Sequence, residues 1–303
     1  MGAKKKSHIT PSKRYAQEAQ LLEINWSLPF SVMDSARSAA YDILEDTSFN
    51  DALRARVKRL GMKLGILKTD EVRPEWVPEF GEYPDMFIGL LRQVDPSLEC
   101  RVYDVEHGQY PAEIDEVDAY LITGSKSSVY DDKPWIATLM DFVRELDRRR
   151  KKLVGICFGH QLVAQALGGK TEKSAKGWGI GLHTHRFSEV PSWNDEKDMS
   201  FDILVSHQDQ VVTNAAGARV LAGSEFCENA VCQLGEHILT FQGHPEFVPE
   251  YSREIMEFRR KTIGEPVYHK GVASLAVAPQ RERVARWMLN FLGDQSPARA
   301  EAV

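Results

Sequence analysis

The chain has 303 residues, 43% of them hydrophobic and 27% charged, with a formal net charge of −6. That length can bury one large α/β core, or a core plus an appendage, and the mildly acidic balance gives no reason to expect nucleic acid or an anionic membrane as partner. No apolar run approaches the ~20 residues of a membrane span, and Cys100, Cys157, Cys227 and Cys232 are too few and too irregularly placed for a disulfide framework, so a reduced, cytoplasmic setting is expected.

The chain opens on a basic stretch (Lys4, Lys5, Lys6, Lys13, Arg14) with no apolar segment behind it. It therefore reads as a solvated tail and not as a secretory signal. Ala36, Ala39, Ala40, Ile43 and Leu44 are spaced for a helix from about Ser35 to Leu60. Residues 1–61 are expected to form an N-terminal extension, a tail plus a helix, or else to be read from upstream of a natural start at Met62.

From Met62 onward strands and helices alternate, which predicts one doubly wound α/β domain over 62–293: a mostly parallel sheet flanked by helices, followed by a C-terminal tail over 294–303. The predicted strands are Met62–Leu67, Cys100–Val105, Ala119–Thr123, Leu153–Cys157, Ile180–Phe187, Ile203–Ser206, Arg219–Ala222, Ala230–Leu234 and Ile238–Gln242. The predicted helices are Tyr83–Gln93, Ile136–Arg150, Gln161–Leu167, Pro249–Thr262 and Gln280–Leu292.

The most informative stretch is Gly155-Ile156-Cys157-Phe158-Gly159-His160-Gln161. An apolar strand ends here in a glycine-flanked turn and a helix begins, the pattern of a nucleophile elbow with cysteine in place of serine. The glycines are needed because the turn brings backbone against backbone. The following helix's N-terminus favours negative charge on the sulfur. By itself such a turn is as often an ordinary strand-turn-helix. What outweighs that reading is His244-Pro245-Glu246, directly after the apolar strand ending at Gln242. In extended chain, residues two apart point the same way. A carboxylate so placed can hold an imidazole in one tautomer, the supporting part of a Cys-His-acid triad.

Together these segments resemble the class I, triad-type glutamine amidotransferases, whose relatives include the γ-glutamyl peptidases and the glutaminase part of GMP synthase. Thr123-Gly124-Ser125-Lys126-Ser127-Ser128-Val129-Tyr130-Asp131-Asp132 sits where that family carries its oxyanion loop, and Ser206-His207-Gln208-Asp209-Gln210-Val211 is similar to its Ser-His-x-Asp-x-Val segment. The likeness runs from about Met62 to Glu250 and leaves out the extension. It implies the family's flavodoxin-like fold, with Cys157 as nucleophile, His244 as general base and Glu246 as its orienting acid. It implies an oxyanion hole from the Phe158 N–H and one from Gly124 or Ser125. Gln161, Ser206, His207 and Gln208 would recognise a γ-glutamyl head, and no cofactor is implied. Residues that choose the substrate are expected in the loops 68–82 and 188–202.

Several other signals carry less. Gly169-Lys170-Thr171 falls short of a phosphate-binding loop because Ala164 stands where the motif needs glycine; Gly168-Gly169 also follows a helix, as a C-cap does. His183-x-His185 could offer two imidazoles to a metal, but nothing in the spacing of Cys227 or Cys232 supplies the remaining ligands, and no metal site is expected. His207 is a candidate second base, with pocket wall the better reading, and Asp209 a structural carboxylate. The charged stretch from Tyr251 to Arg260 reads as a solvated helix face before a docking surface.

Three functions follow. The first is a stand-alone hydrolase of γ-glutamyl amides, acting on glutamine or a small γ-glutamyl compound through a thioester. The second is a glutaminase subunit supplying ammonia to a separate synthase partner. The third is a binding or regulatory protein that keeps the fold without the chemistry, against which the full set Cys157, His244 and Glu246 argues. An α/β hydrolase is disfavoured by chain order, since there the acid precedes the histidine.

Overall fold

The computed structural model describes Arg59 and residues 61–293. The helix expected over residues 35–60, Arg59 apart, and the tail over 294–303 lie outside the described residues. Strands β1 (Lys63–Lys68), β2 (Glu99–Asp104), β3 (Ala119–Ile122), β4 (Lys152–Ile156) and β11 (Ile238–Phe241) form a parallel array in the order β2-β1-β3-β4-β11. Each of β1, β3, β4 and β11 holds a run of four buried residues, as strands covered on both faces must.

Helices α2 (Tyr83–Val94) and α8 (Arg281–Gly293) cover one face, packing Phe87, Leu90, Leu91, Trp287 and Met288 against Leu64, Ile66, Val154 and Ile156. The other face is covered by α3 (Pro134–Arg148) and α4 (Phe158–Ala166), whose Leu139, Val143, Phe158 and Leu162 pack on Leu67, Tyr120, Ile122 and Leu153. A short helix, α1 (Val77–Phe80), precedes α2.

Beyond β11 the sheet continues in antiparallel fashion through β10 (Val231–Leu234), β9 (Ala218–Gly223), β6 (Gly179–Phe187) and β7 (Ser200–His207), making nine strands among the described residues. The parallel, helix-flanked sheet is thus joined to an antiparallel extension. The connection from β6 to β7 carries no helix, and without a crossover helix consecutive strands pair antiparallel. Two short polar strands missing from the sequence reading, β5 (Lys170–Lys173) and β8 (Asp209–Thr213), pair as a separate ribbon.

The helix predicted over 249–262 divides into α5 (Pro249–Phe258) and α6 (Arg260–Ile263). It is followed by α7 (Glu265–Ser274), which the sequence reading did not include. Gly168, at φ +90°, and Gly169, whose N–H donates to the Ala164 carbonyl at 2.8 Å, end α4 and form no phosphate cradle. Among the described residues no helix is long and apolar enough to cross a membrane.

Candidate active site

The parallel pairing of β4 with β11 matches Ile156 to Phe241, and the Cys157 N–H donates to the Phe241 carbonyl at 2.8 Å. The elbow and the segment starting at Gln242 therefore leave the sheet side by side. Cys157 adopts φ 50°, ψ −99°, a positive φ that side-chain-bearing residues rarely hold. The flanking glycines allow it. A Cβ on Gly155 would come 2.7 Å from the Gly159 backbone, and one on Gly159 would come 2.7 Å from the Ile122 carbonyl oxygen. The sulfur is thereby held at the start of α4, whose first N–H groups have no intrahelical acceptor.

His244 and Glu246 stand next to it. His244 Nδ1 lies 2.7 Å from Glu246 Oε1, with both residues almost fully buried. Phe247 stacks on the imidazole at 4.0 Å between centroids and 8° between planes. The His244 N–H donates to the Leu204 carbonyl at 2.8 Å, tying the segment to β7, and the Arg281 guanidinium donates to the Pro245 and Glu246 carbonyls, both at 3.0 Å. Burial alone would disfavour the charged ring. The charge of Glu246 and the Cys157 side chain override it and push His244 up to about 10.

Gly124 closes the site on the opposite wall. A Cβ there would lie 2.9 Å from His244 Cε1 and 3.6 Å from Cys157 Cβ, so glycine is what lets this loop approach both. Thr69 holds the loop by donating to the Gly124 carbonyl at 2.9 Å. A cleft of about 230 Å³ opens from Cys157 and is lined in part by Ser125, Gln161, Ser206, His207 and Gln208. Four of those five are the residues expected around the γ-glutamyl head, and Ser125 comes from the expected oxyanion loop.

Gln161 Nε2 donates to the Asp209 carbonyl at 2.9 Å and to Gln242 Oε1 at 3.1 Å. Gln242 Nε2 in turn donates to Cys157 Sγ at 3.6 Å. This relay onto the sulfur was not read from the sequence, although the strand end at Gln242 marked its place. Asp209 clips the two loops together by accepting from the Ser128 hydroxyl at 2.6 Å. His207 is pushed down to about 3 by burial, and its Nδ1 faces the Asp209 carbonyl at 3.0 Å. It stands in the wall of the cleft.

The loops 68–82 and 188–202, where substrate selection was expected, do not line the cleft. Its remaining wall comes from Lys126, Lys173, Trp178 and Arg259 among others. The antiparallel register of β6 on β7 pairs Gly179 with His207, which carries Trp178 to the cleft. Among the described residues, His183 and His185, 6.4 Å apart between ring centroids, gather no third metal ligand. The grouping that does form among the described residues, Glu71, Asp104 and His107, is bridged by the Lys68 ammonium, which bonds both carboxylates.

A parallel sheet with a cysteine on a strained strand-to-helix turn and a buried histidine–carboxylate pair beside it defines a class of cysteine-elbow α/β proteins. Within that class the chain belongs to the class-I glutamine amidotransferase family, whose model matches residues 82–261. It is 32% identical over 224 residues to γ-glutamyl peptidase 3 of Arabidopsis thaliana, covering 70% of this chain and 89% of that protein. It is 33% identical over 214 residues to a glutamine amidotransferase-like protein of Schizosaccharomyces pombe, covering 66% of this chain and 85% of the relative. A glutamine amidotransferase from Thermotoga maritima shares the fold with a TM-score of 0.60 at 17% identity, over 77% of this chain and 96% of that one. One from Methylobacillus flagellatus does so at 0.59 and 21%, over 80% and 99%.

Proposed function

We propose that this chain is a cysteine hydrolase of γ-glutamyl amide bonds. The observation that carries the reading is the buried His244–Glu246 pair at 2.7 Å beside a cysteine held at positive φ. Cys157 gives its proton to His244, and the sulfur attacks the γ-carbonyl carbon. The oxyanion that forms accepts from the Phe158 N–H and from an N–H of the Gly124–Ser125 loop, donors of a kind worth ~3 kcal/mol each in the transition state. The C–N bond breaks as the His244 imidazolium protonates the departing amine, leaving a γ-glutamyl thioester. Water, deprotonated by His244, then cleaves the thioester to glutamate, and the proton returns to the sulfur. Glu246 keeps Nδ1 protonated, so that Nε2 does the transfers. Gln242 and Gln161 hold the sulfur's direction through their relay.

A second cavity of about 870 Å³, between β6 and α7, shares Trp178 with the cleft. The relatives named γ-glutamyl peptidases favour, as substrate, a γ-glutamyl compound larger than glutamine.

The test is glutamate release by the purified chain from glutamine and from a panel of γ-glutamyl dipeptides. Cys157→Ala should abolish release, and Glu246→Gln should lower kcat by about 10²–10⁴-fold. No turnover above the Cys157→Ala background would overturn the stand-alone reading. Release that appears only on adding a synthase would replace it with the ammonia-supplying one.

A further inference from the structure

Three cationic side chains line the cleft, and they differ in what neutralises them. The Lys126 ammonium pairs with Asp70 at 2.5 Å, and Lys173 is exposed to water. Arg259 is half-buried at the junction of α5 and α6. Its guanidinium stacks over Trp178, 5.4 Å from the ring centroid, and Nη1 donates to the Ser206 hydroxyl at 3.1 Å. Among the described residues it has no carboxylate at ion-pairing distance. The next residue, Arg260, has two, Glu257 and Glu265. Held by a neutral hydroxyl and an aromatic face, the half-buried guanidinium still has N–H donors to offer an anion that enters the cleft. Its planar fork matches a carboxylate's two oxygens. The cleft, at about 230 Å³, falls below the ~300 Å³ at the small end of drug-sized sites, and so suits a body the size of one amino acid.

We propose that Arg259, aimed by Trp178 and Ser206, anchors the α-carboxylate of the γ-glutamyl head and so selects γ-glutamyl amides over amides lacking that group. This rests on the hydrolase reading above. Ser206 places the guanidinium on the same wall as His207 and Gln208, so the carboxylate end of the head lies against β7 while the γ-amide points at Cys157.

The experiment compares kcat/KM for glutamine with that for 4-aminobutanamide, which is glutamine without its α-carboxylate, in the wild-type chain and in Arg259→Met and Arg259→Lys. The ratio of the two values within one preparation does not depend on how much of the protein is folded. Loss of a charge-assisted bond predicts that the ratio falls by about 10–100-fold in Arg259→Met, chiefly through KM, with part of it restored in Arg259→Lys. A wild-type ratio in Arg259→Met would overturn the proposal. A readout that needs no turnover is protection of Cys157 from iodoacetamide by glutamate compared with 4-aminobutyrate. The preference for glutamate should vanish in Arg259→Met, and its persistence would overturn the proposal equally. Absence of Cys157-dependent hydrolysis in the wild-type chain is a separate failure, that of the hydrolase reading itself.

Discussion

Cys157 keeps a side chain where glycine would be the more comfortable residue. At φ 50° and ψ −99° the cost is ~1–3 kcal/mol, maintained by Gly155 and Gly159, whose missing Cβ atoms let the elbow close. The usual order of Ala over Gly should therefore reverse at this position. Cys157→Gly is expected to be more stable than Cys157→Ala by about 1–3 kcal/mol, and so to unfold at a higher urea concentration, with both inactive; urea titration of the pair decides it. If alanine proves the more stable, the turn is not strained. Cys157, His244 and Glu246 were legible in the sequence because each pattern is short and local. An elbow needs five consecutive residues and the histidine–acid pair three, so chain geometry alone brings each set together. Gln242 was not legible as a partner of the sulfur. Its amide reaches Cys157 only through the register of β4 on β11, which no local pattern announces.

At the scale of elements, the first turn of α4 packs directly on Ile122 of β3, and glycine at 159 leaves the room for it. Alanine there gains up to ~1 kcal/mol of helix propensity. It would also push a methyl to within 2.7 Å of the Ile122 carbonyl and 2.8 Å of its Cβ, overpacking that costs ~1–3 kcal/mol. Overpacking wins, so Gly159→Ala should be destabilising. Gly89→Ala, on an exposed position of α2 with nothing within 4 Å, should be stabilising by up to ~1 kcal/mol. Thermal midpoints of opposite sign check this; a stabilising Gly159→Ala would mean the helix can lift off the sheet.

The same elements mark where sequence reading ran out. β5 and β8 are too short and too polar to show alternation, and the direction of β6 on β7 is not written in either strand. Tyr251 to Arg260 reads as a solvated helix because its charges dominate. Four residues of α5, among them Tyr251 and Met256, are nonetheless buried, and the chain just after it brings Arg259 to the cleft.

For the whole molecule, buried histidines set the response to acid. Burial pushes His160 down to about 4, and His185 and His207 down to about 3. Between the unfolded value near ~6.5 and those values, the unfolded chain binds more protons than the folded one. Stability therefore falls as pH falls below ~6.5, by up to about 1.4 kcal/mol per pH unit for each ring. His244 acts in the other sense. Its raised pKa contributes stability that is fully present below ~6.5 and is lost as pH rises through about 10. The expected profile is a maximum near neutrality with the steeper limb on the acid side. His185 offers the cleanest test, since neither ring nitrogen finds a partner among the described residues and Phe201 lies 5.5 Å away. His185→Phe should make the acid limb shallower by about one proton and raise the thermal midpoint at pH 5. An unaltered limb would place the acid sensitivity elsewhere.

The Arg281 clamp on the carbonyls of Pro245 and Glu246 has a genetic corollary. Every recognisable motif, and the whole stretch matched by the family model, is encoded before codon 262. A stop codon just beyond would spare all of them. It would nonetheless delete Arg281, which holds the histidine–glutamate segment, and Trp287, a fully buried ring of the core. Nonsense alleles late in the reading frame should therefore behave as complete losses, although each keeps a full set of motifs.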